Sequence, residues 1–555
     1  SIAGDIDARN IVAAGVGTFI SDITVNSITI GKGATSDGDS TVVGEGALDA
    51  VTTGEKNTAI GKDSLTACTS GYRNVVVGTR AAKTLTTGYA NVAIGYEALE
   101  FNTTGNQNIA IGHQTLESNT TGGNNTAVGH AAMVLNTTGQ SNVAVGALAL
   151  DANTDGDNNT AVGKESLTAN TTGRNNTAMG IVALQNNTTG NKNTALGMDA
   201  LRANTTAENN TAVGADALTS NTTGTSNCAV GANALRDNTG TNNNTAVGKD
   251  ALKLNTAANN TALGFAALEA NTTGTNNVAL GTLALSTNTT AAYNTAVGSD
   301  ALKDNVSGGQ NAAFGYKALE DNTTNNNTAF GAYAASLTTT GGDNVAVGQA
   351  ALYTNTTGAN NTAIGLKALY LNTTASNNTA VGNDSLYSNT TGTQNTAIGA
   401  RSLESNVSGS RNTACGYKSL EDTGNGNDNT AVGWQALDDC ASSNNTAVGS
   451  GALMLNTTGS GNVAVGAGAL DANTTGSINV AIGYLALSSN NASSNVAVGN
   501  EALETNTTGS SNTAIGDEAM EFNTTGSNNV AVGNDALYSN TTASNNVAIG
   551  AAAMN

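Results

Sequence analysis

Along most of the chain, polar and small apolar positions recur in a five-residue block, Asn–(Thr/Val)–Ala–(aliphatic)–Gly, found 30 times between Asn57 and Gly550. Asn91-Val92-Ala93-Ile94-Gly95, Asn159-Thr160-Ala161-Val162-Gly163 and Asn546-Val547-Ala548-Ile549-Gly550 are representative. Nearly all successive blocks lie seventeen positions apart, and four lie sixteen apart. Two less regular blocks precede them, ending at Gly31 and Gly44. The unit reads N-T-A-V-G-x-x-A-L-x-x-N-T-T-G-x-N, and its slots are numbered 1 to 17 from the strand asparagine.

This pattern predicts one short strand per unit, then a glycine, a second short apolar pair and a turn-rich loop. No apolar run keeps a helical period for about 10–12 residues, and Asn, Thr and Gly are poor helix formers. A unit of this length cannot bury a core alone, but stacked on its neighbours it forms parallel ladders about 4.8 Å apart. The predicted fold is therefore all-β, a parallel β-solenoid of about 30 stacked coils, making a rod roughly 150 Å long. Slots 2 and 4 share one side of the strand, and slot 3 points to the other. Slot 3 is Ala in 29 of 30 copies, Val76 being the exception. A side that accepts little beyond a methyl group implies close packing, against the opposing wall of the same coil or against another chain. Slot 9 is Leu in 25 copies and is the expected main core residue; Ala82, Met133, Ala335, Met520 and Met554 replace it. The four shorter units start at Asn244, Asn311, Asn429 and Asn479, and each loses a residue from the Asn-Thr-Thr-Gly segment. Deletions are tolerated where backbone is exposed, so this segment is expected to be the solvent-facing corner. The slot 1 asparagines are expected to form an amide ladder along the axis. Residues 1–56, with strand-like alternation from Ile6 to Ile30, read as an irregular β leader or cap, and 57–555 as the solenoid shaft. The last unit stops at Asn555 without an evident cap, so further chain or partner chains are expected to cover that end.

Composition sharpens this picture. Proline is absent, where average usage near 5% predicts roughly 28; a proline would remove a ladder donor. Aromatics are only 3% of residues, so the core must be thin and built from small aliphatic side chains. The net charge of −21 is spread as single residues without a basic stripe, which argues against nucleic acid and against insertion in or binding to an anionic membrane. No apolar run approaches a membrane span. The four cysteines, Cys68, Cys228, Cys415 and Cys440, form neither a disulfide framework nor a zinc pattern. Cys228 and Cys415 stand in strand slots as packing substitutes. Cys68 and Cys440 stand in the loop slot 12 and are expected to be the accessible thiols.

The strand Asn-Thr-Ala-Val-Gly and its variant Asn-Val-Ala-Ile-Gly resemble the head repeats of trimeric autotransporter adhesins, which carry a similar S-V-A-I-G strand at a shorter period. With Ala-Leu and Asn-Thr-Thr-Gly, the longer unit is similar to repeats of phage tail fibres and other virion appendage proteins. The leader Val16-Gly17-Thr18-Phe19 and Thr24-Val25-Asn26-Ser27-Ile28-Thr29-Ile30-Gly31 resembles segments that precede such repeats. The resemblance covers about 90% of the chain. It implies a left-handed β-roll in a homotrimeric fibre, with the alanine side turned towards the other chains.

Candidate chemistry is sparse. Tyr353, Tyr370 and Tyr387 lie one repeat apart and should form a ladder, read either as a glycan-contacting stripe or as cross-rung stacking. Asn-Thr-Thr recurs about twenty times and fits the N-x-[ST] acceptor pattern. Asn102, Asn119, Asn136, Asn271, Asn355, Asn372, Asn389 and Asn523 are thus a candidate glycosylation corner. His113 and His130 occupy equivalent slots one unit apart, most simply as two exposed side chains in a variable slot. Asn153-Thr154-Asp155-Gly156-Asp157-Asn158 lacks the twelfth-position Glu of a calcium loop. Phosphate-binding loops and nucleophile elbows do not occur, and no catalytic residue, cofactor or metal ligand is expected. Three functions compete: a fibre or adhesin shaft at a virion or cell surface that meets a host glycan or receptor, a glycosylated extracellular fibril, and an ice- or glycan-binding repeat surface.

Overall fold

The computed structural model describes residues 23–25, 27–32, 39–422 and 424–555. The expected strand alternation between Ile6 and Asp22 lies outside the described residues. The chain divides into two compact units, Ser1–Asn243 and Asn244–Asn555.

In the first unit, β1 (Ile23–Val25) and β2 (Ile28–Gly31) form an antiparallel hairpin, and β2 pairs antiparallel with β3 (Thr41–Gly44). From β3 onward the pairing is parallel: Val42 lies opposite Ala59 in β4 (Thr58–Ile60), and Ala93 opposite Ala110. Coil stacking thus already includes residues before 57. One short strand per coil follows through β14 (Cys228–Val230). The second unit repeats the arrangement from β15 (Thr245–Val247) to β33 (Val547–Ile549), with Ala246 opposite Ala262 and Ala531 opposite Ala548. Residues one repeat apart in sequence are neighbours across a rung throughout both units, the shorter coils included. The fold is a parallel β-solenoid of about thirty coils, one sequence repeat to each coil.

Backbone bonding explains why the repeat length is so constant. Within one coil, Thr58, Leu65, Ala67 and Thr69 donate N–H to carbonyls of the next coil, at 2.8 to 3.0 Å. Gly61, Asp63 and Arg73 donate to carbonyls of the preceding coil, at 2.8 to 3.0 Å. Each coil is thereby bonded on both sides outside the strand as well as within it, and an unpaired buried N–H would be costly. The coil must also reverse direction within one repeat, and it does so at four positions of positive φ. At slot 5 it uses glycine: Gly146 has φ +138°, and a Cβ there would stand 2.5 Å from the Gly163 carbonyl oxygen of the next coil. At slots 7, 9 and 17 it uses left-handed conformations in ordinary residues, as at Asp63 (φ 54°), Leu65 (φ 52°) and Arg73 (φ 58°). A left-handed Leu costs about 1 kcal/mol, offset here by burial, since the slot 9 leucines are fully enclosed.

The interior holds slots 1, 3, 8, 9, 12 and 15. Alanines at slots 3 and 8 and leucine at slot 9 are buried along both units. The coil starting at Asn74 shows how volume is shared. It has Ala82 where Leu is usual, and it also has the one slot 3 valine, Val76, and Leu85 where slot 12 is usually Asn; all three are 0% exposed. Bulk lost at slot 9 reappears at slots 3 and 12, as a close-packed interior requires.

Two expectations are corrected here. The alanine side of the strand does not face outward towards other chains. It lines the coil's own interior, and the outward side is formed by slots 2 and 4. The Asn-Thr-Thr-Gly corner is not uniformly solvent-facing: its Asn and Gly are internal, and only the two threonines reach solvent, the second more than the first. In the coil from Asn479 the chain passes from Asn490 and Asn491 directly to Ala492, and Asn490 Nδ2 still reaches the Ala492 carbonyl at 2.9 Å. The shortened loop therefore spares the interior.

Candidate interaction faces

Two asparagine ladders run through the interior. At slot 1, Oδ1 of each residue accepts the backbone N–H of the next asparagine (Asn91 to Asn74, 3.0 Å), and Nδ2 donates to the slot 15 carbonyl of its own coil (Asn91 to Gly105, 3.0 Å). The expected ladder is present, but mostly through backbone groups rather than amide to amide. The slot 12 asparagines form the direct amide ladder instead. Asn119 Nδ2 donates to Asn102 Oδ1 at 2.9 Å and to the Gly122 carbonyl at 3.0 Å, and Asn136 Nδ2 donates to Asn119 Oδ1 at 2.8 Å. The ladder keeps slot 15 small: a Cβ on Gly156 would lie 2.5 Å from Asn153 Oδ1, and where the residue is not glycine it is typically alanine, as at Ala207 and Ala375, whose carbonyls accept the same bond.

That geometry corrects the candidate glycosylation corner. Asn102, Asn119, Asn136, Asn271, Asn355, Asn372, Asn389 and Asn523 are all 0% exposed. A glycan on such an Nδ2 would replace hydrogen-bonding donors inside the coil, and an unmet buried acceptor costs about 1–3 kcal/mol before any steric term. Variation in loop length locates the exposed part of a corner but not the side chain that turns inward from it.

The tyrosines form the expected ladder. Tyr353 and Tyr370 stack with centroids 5.3 Å apart and planes at 11°, and Tyr370 and Tyr387 at 5.1 Å and 6°. Tyr333 meets Tyr353 edge-on at 6.1 Å and Tyr316 at 5.2 Å, extending the row. Lys367 Nζ sits 5.7 Å from the Tyr370 ring centroid and 5.9 Å from that of Tyr387. Both faces of Tyr370 are met by neighbouring rings, so the row offers edges and hydroxyls more than open faces. Tyr96, His113 and His130 stack in the same manner at 5.3 Å per step.

The cysteine assignment is reversed. Cys68 and Cys440 are 0% exposed, and burial pushes the Cys68 thiol up to about 11. Cys228 is half-buried and Cys415 exposed, because their strand slots 2 and 4 face outward.

Carboxylates gather where equivalent slots stack. Glu97 and Glu100 are buried and share Arg80, and Gln114 Nε2 donates to Glu97 at 3.1 Å. Glu117 joins them; burial, then the Glu97 and Glu100 charges, raise its carboxyl above the usual range. In the second unit, oxygens of Glu501, Glu518 and Glu521 lie within 4.8 Å of one another without an ion pair among the described residues. Burial, then Glu518 and Glu504, raise Glu521. Asp438 is raised to about 6, chiefly by burial, and its Oδ1 has no hydrogen-bond partner.

The largest regular feature is the outward side of the strands, the side that the family resemblance turns inward. Its slot 4 side chains are exposed in coil after coil, among them Ile94, Ile111, Met179, Leu263, Phe330 and Ile398.

Fold and faces together define the class: a long parallel β-solenoid repeat protein with an amide-laddered interior and an uncharged outward strand face. No family model matches the chain, and no curated protein matches it.

Proposed function

We propose that this chain is the shaft of a fibre or adhesin at a virion or cell surface, assembled as a homo-oligomer, a trimer by resemblance, and carrying no catalytic step of its own. One observation carries this reading: both buried asparagine ladders and a recurring set of backbone hydrogen bonds outside the strands run from coil to coil. A coil so bonded has no independently unfolding part, and resistance to bending and proteolysis is what a shaft outside the cell needs. The Tyr316–Tyr387 row, with Lys367 beside it, is the place where a host glycan or receptor would meet the shaft, through ring edges and hydroxyls. The glycosylated fibril loses its support with the burial of the slot 12 asparagines.

The test is antibody labelling of the source cells and their viruses under the electron microscope. Gold along surface appendages is the expected result. Label confined to the cell interior would overturn the reading.

A further inference from the structure

Slots 2 and 4 of the 30 repeat strands supply 60 outward side chains. Slot 2 holds 17 Thr, 10 Val, one Ile, one Cys and one Ala; slot 4 holds only Val, Ile, Leu, Phe, Met and Cys. None is charged, although charged residues form 11% of the chain and concentrate on surfaces; about seven would be expected even without that bias. All charges of the repeats lie at other slots, and the total of −21 is a repulsive field between copies approaching by those surfaces. The strand face is a long, uncharged surface by which two copies can meet without opposing like charges.

Its texture fits contact rather than solvent. Ile364 and Ile398 are 39% and 44% exposed, and Phe314 and Phe330 stack at 4.3 Å on the same row. Among the described residues the slot 2 threonine hydroxyls make no hydrogen bond within the chain, so they are available to a partner. The area is adequate too. A rung offers about 50 Å² of this face, giving about 900 Å² over the nineteen strands β15 to β33. A stable interface needs about 800 Å² per partner. The residue types repeat rung by rung, so equivalent faces related by rotation about the shaft direction present aliphatic rows to aliphatic rows.

We infer that the outward strand face, slots 2 and 4, is the surface on which a second copy of this chain docks. This rests on the assembly proposed above and replaces the alanine side as its seam. The native cysteines make it measurable. Cys228 and Cys415 lie on the face, while Cys68 and Cys440 are internal and report on folding. The full chain is sized by sedimentation and treated with a small thiol reagent. Alongside it run the variant Ile364→Lys/Ile398→Lys, on the face, and the control Thr357→Lys/Thr391→Lys, on exposed corner positions.

The expected native mass is a whole multiple of 54.7 kDa, with Cys415 labelled at least about tenfold more slowly than in the face variant. The face variant should fall towards a single chain with Cys68 and Cys440 still protected, and the control should keep its mass. If the face variant instead unfolds, the two internal thiols react, and protection of Cys415 in the native chain decides the matter. A native multimer with freely reactive Cys415, unchanged by the face substitutions, would overturn the docking surface alone. A native single chain of 54.7 kDa would overturn the assembly with it.

Discussion

The two sides of one three-residue strand obey different rules. Inward, slot 3 accepts Ala and, once, Val; outward, slots 2 and 4 accept Thr, Val, Ile, Leu, Met, Phe, Cys and Ala. The inward side is fixed by geometry, because the opposing wall of the coil is in contact and any added methylene must be taken from elsewhere. The outward side is fixed by chemistry, because bulk varies freely while charge never appears. One strand therefore separates a packing constraint from an association constraint.

The largest effect should come from charging the interior. Asn372 Nδ2 donates to Asn355 Oδ1 at 2.9 Å and to the Ala375 carbonyl at 3.1 Å. Asn372→Asp leaves Asn355 Oδ1 unmet, sets a carboxylate against the Ala375 carbonyl that Asn361 Nδ2 still reaches, and buries a charge, at a cost of about 4 kcal/mol. Hydrogen exchange should show lost protection in the coils on either side, with distant coils unchanged.

Next comes volume. Leu369→Ala should cost about 3 kcal/mol and Ala363→Val about 2 kcal/mol. The coil of Val76 and Ala82 predicts that the pair is not additive: the double variant should lose less than the sum by about 1 kcal/mol. Local exchange free energies of the three variants measure this, and strict additivity would show that slots 3 and 9 do not share one interior.

A smaller effect concerns protons. Asp438 binds its proton more tightly folded, at about 6, than its ordinary value of 3.8. The folded state therefore holds more protons between those values, and stability falls as pH rises through that window. Asp438→Asn should flatten this part of the stability profile, raising protection near pH 7 with little change near pH 4, as read by exchange in the coils around Leu437.

The smallest effect tests the outward side. Thr379→Val exchanges one usual slot 2 residue type for another and should change single-chain stability by less than about 0.5 kcal/mol. A loss as large as that of Ala363→Val would erase the distinction between the two sides.

Much of the fold was legible in the sequence. A fixed period with Ala and Leu at fixed slots specifies stacked coils, and Leu65 to Leu537 occupy the interior as expected. The face assignment was not legible from the strand alone. Alternation divides a strand into two sides without saying which is inside, and Thr-x-Val looks at least as core-like as a lone Ala. The deciding information lay in the left-handed turn at Asp63 and Leu65, which brings slot 9 against slot 3 and closes a narrow interior. Nothing in residue type signals a left-handed Leu. The slot 12 asparagines were misplaced for a related reason: Asn-Thr-Thr-Gly has the composition of an exposed turn, and only the stacking at Asn102–Asn119–Asn136 turns its first residue into a buried ladder. Cys68 and Cys440 inherited the same error because they replace that asparagine.

Stacking of successive coils is tested most directly by spin labels at Thr357→Cys and Thr374→Cys, exposed corner positions one repeat apart. The four native cysteines are first replaced by the residues usual at their slots. Stacked coils predict labels within about 10 Å, and hence a strongly broadened spectrum. A doubly labelled chain whose spectrum equals the sum of the two single ones would contradict the stack, its interior ladders and the strand face together.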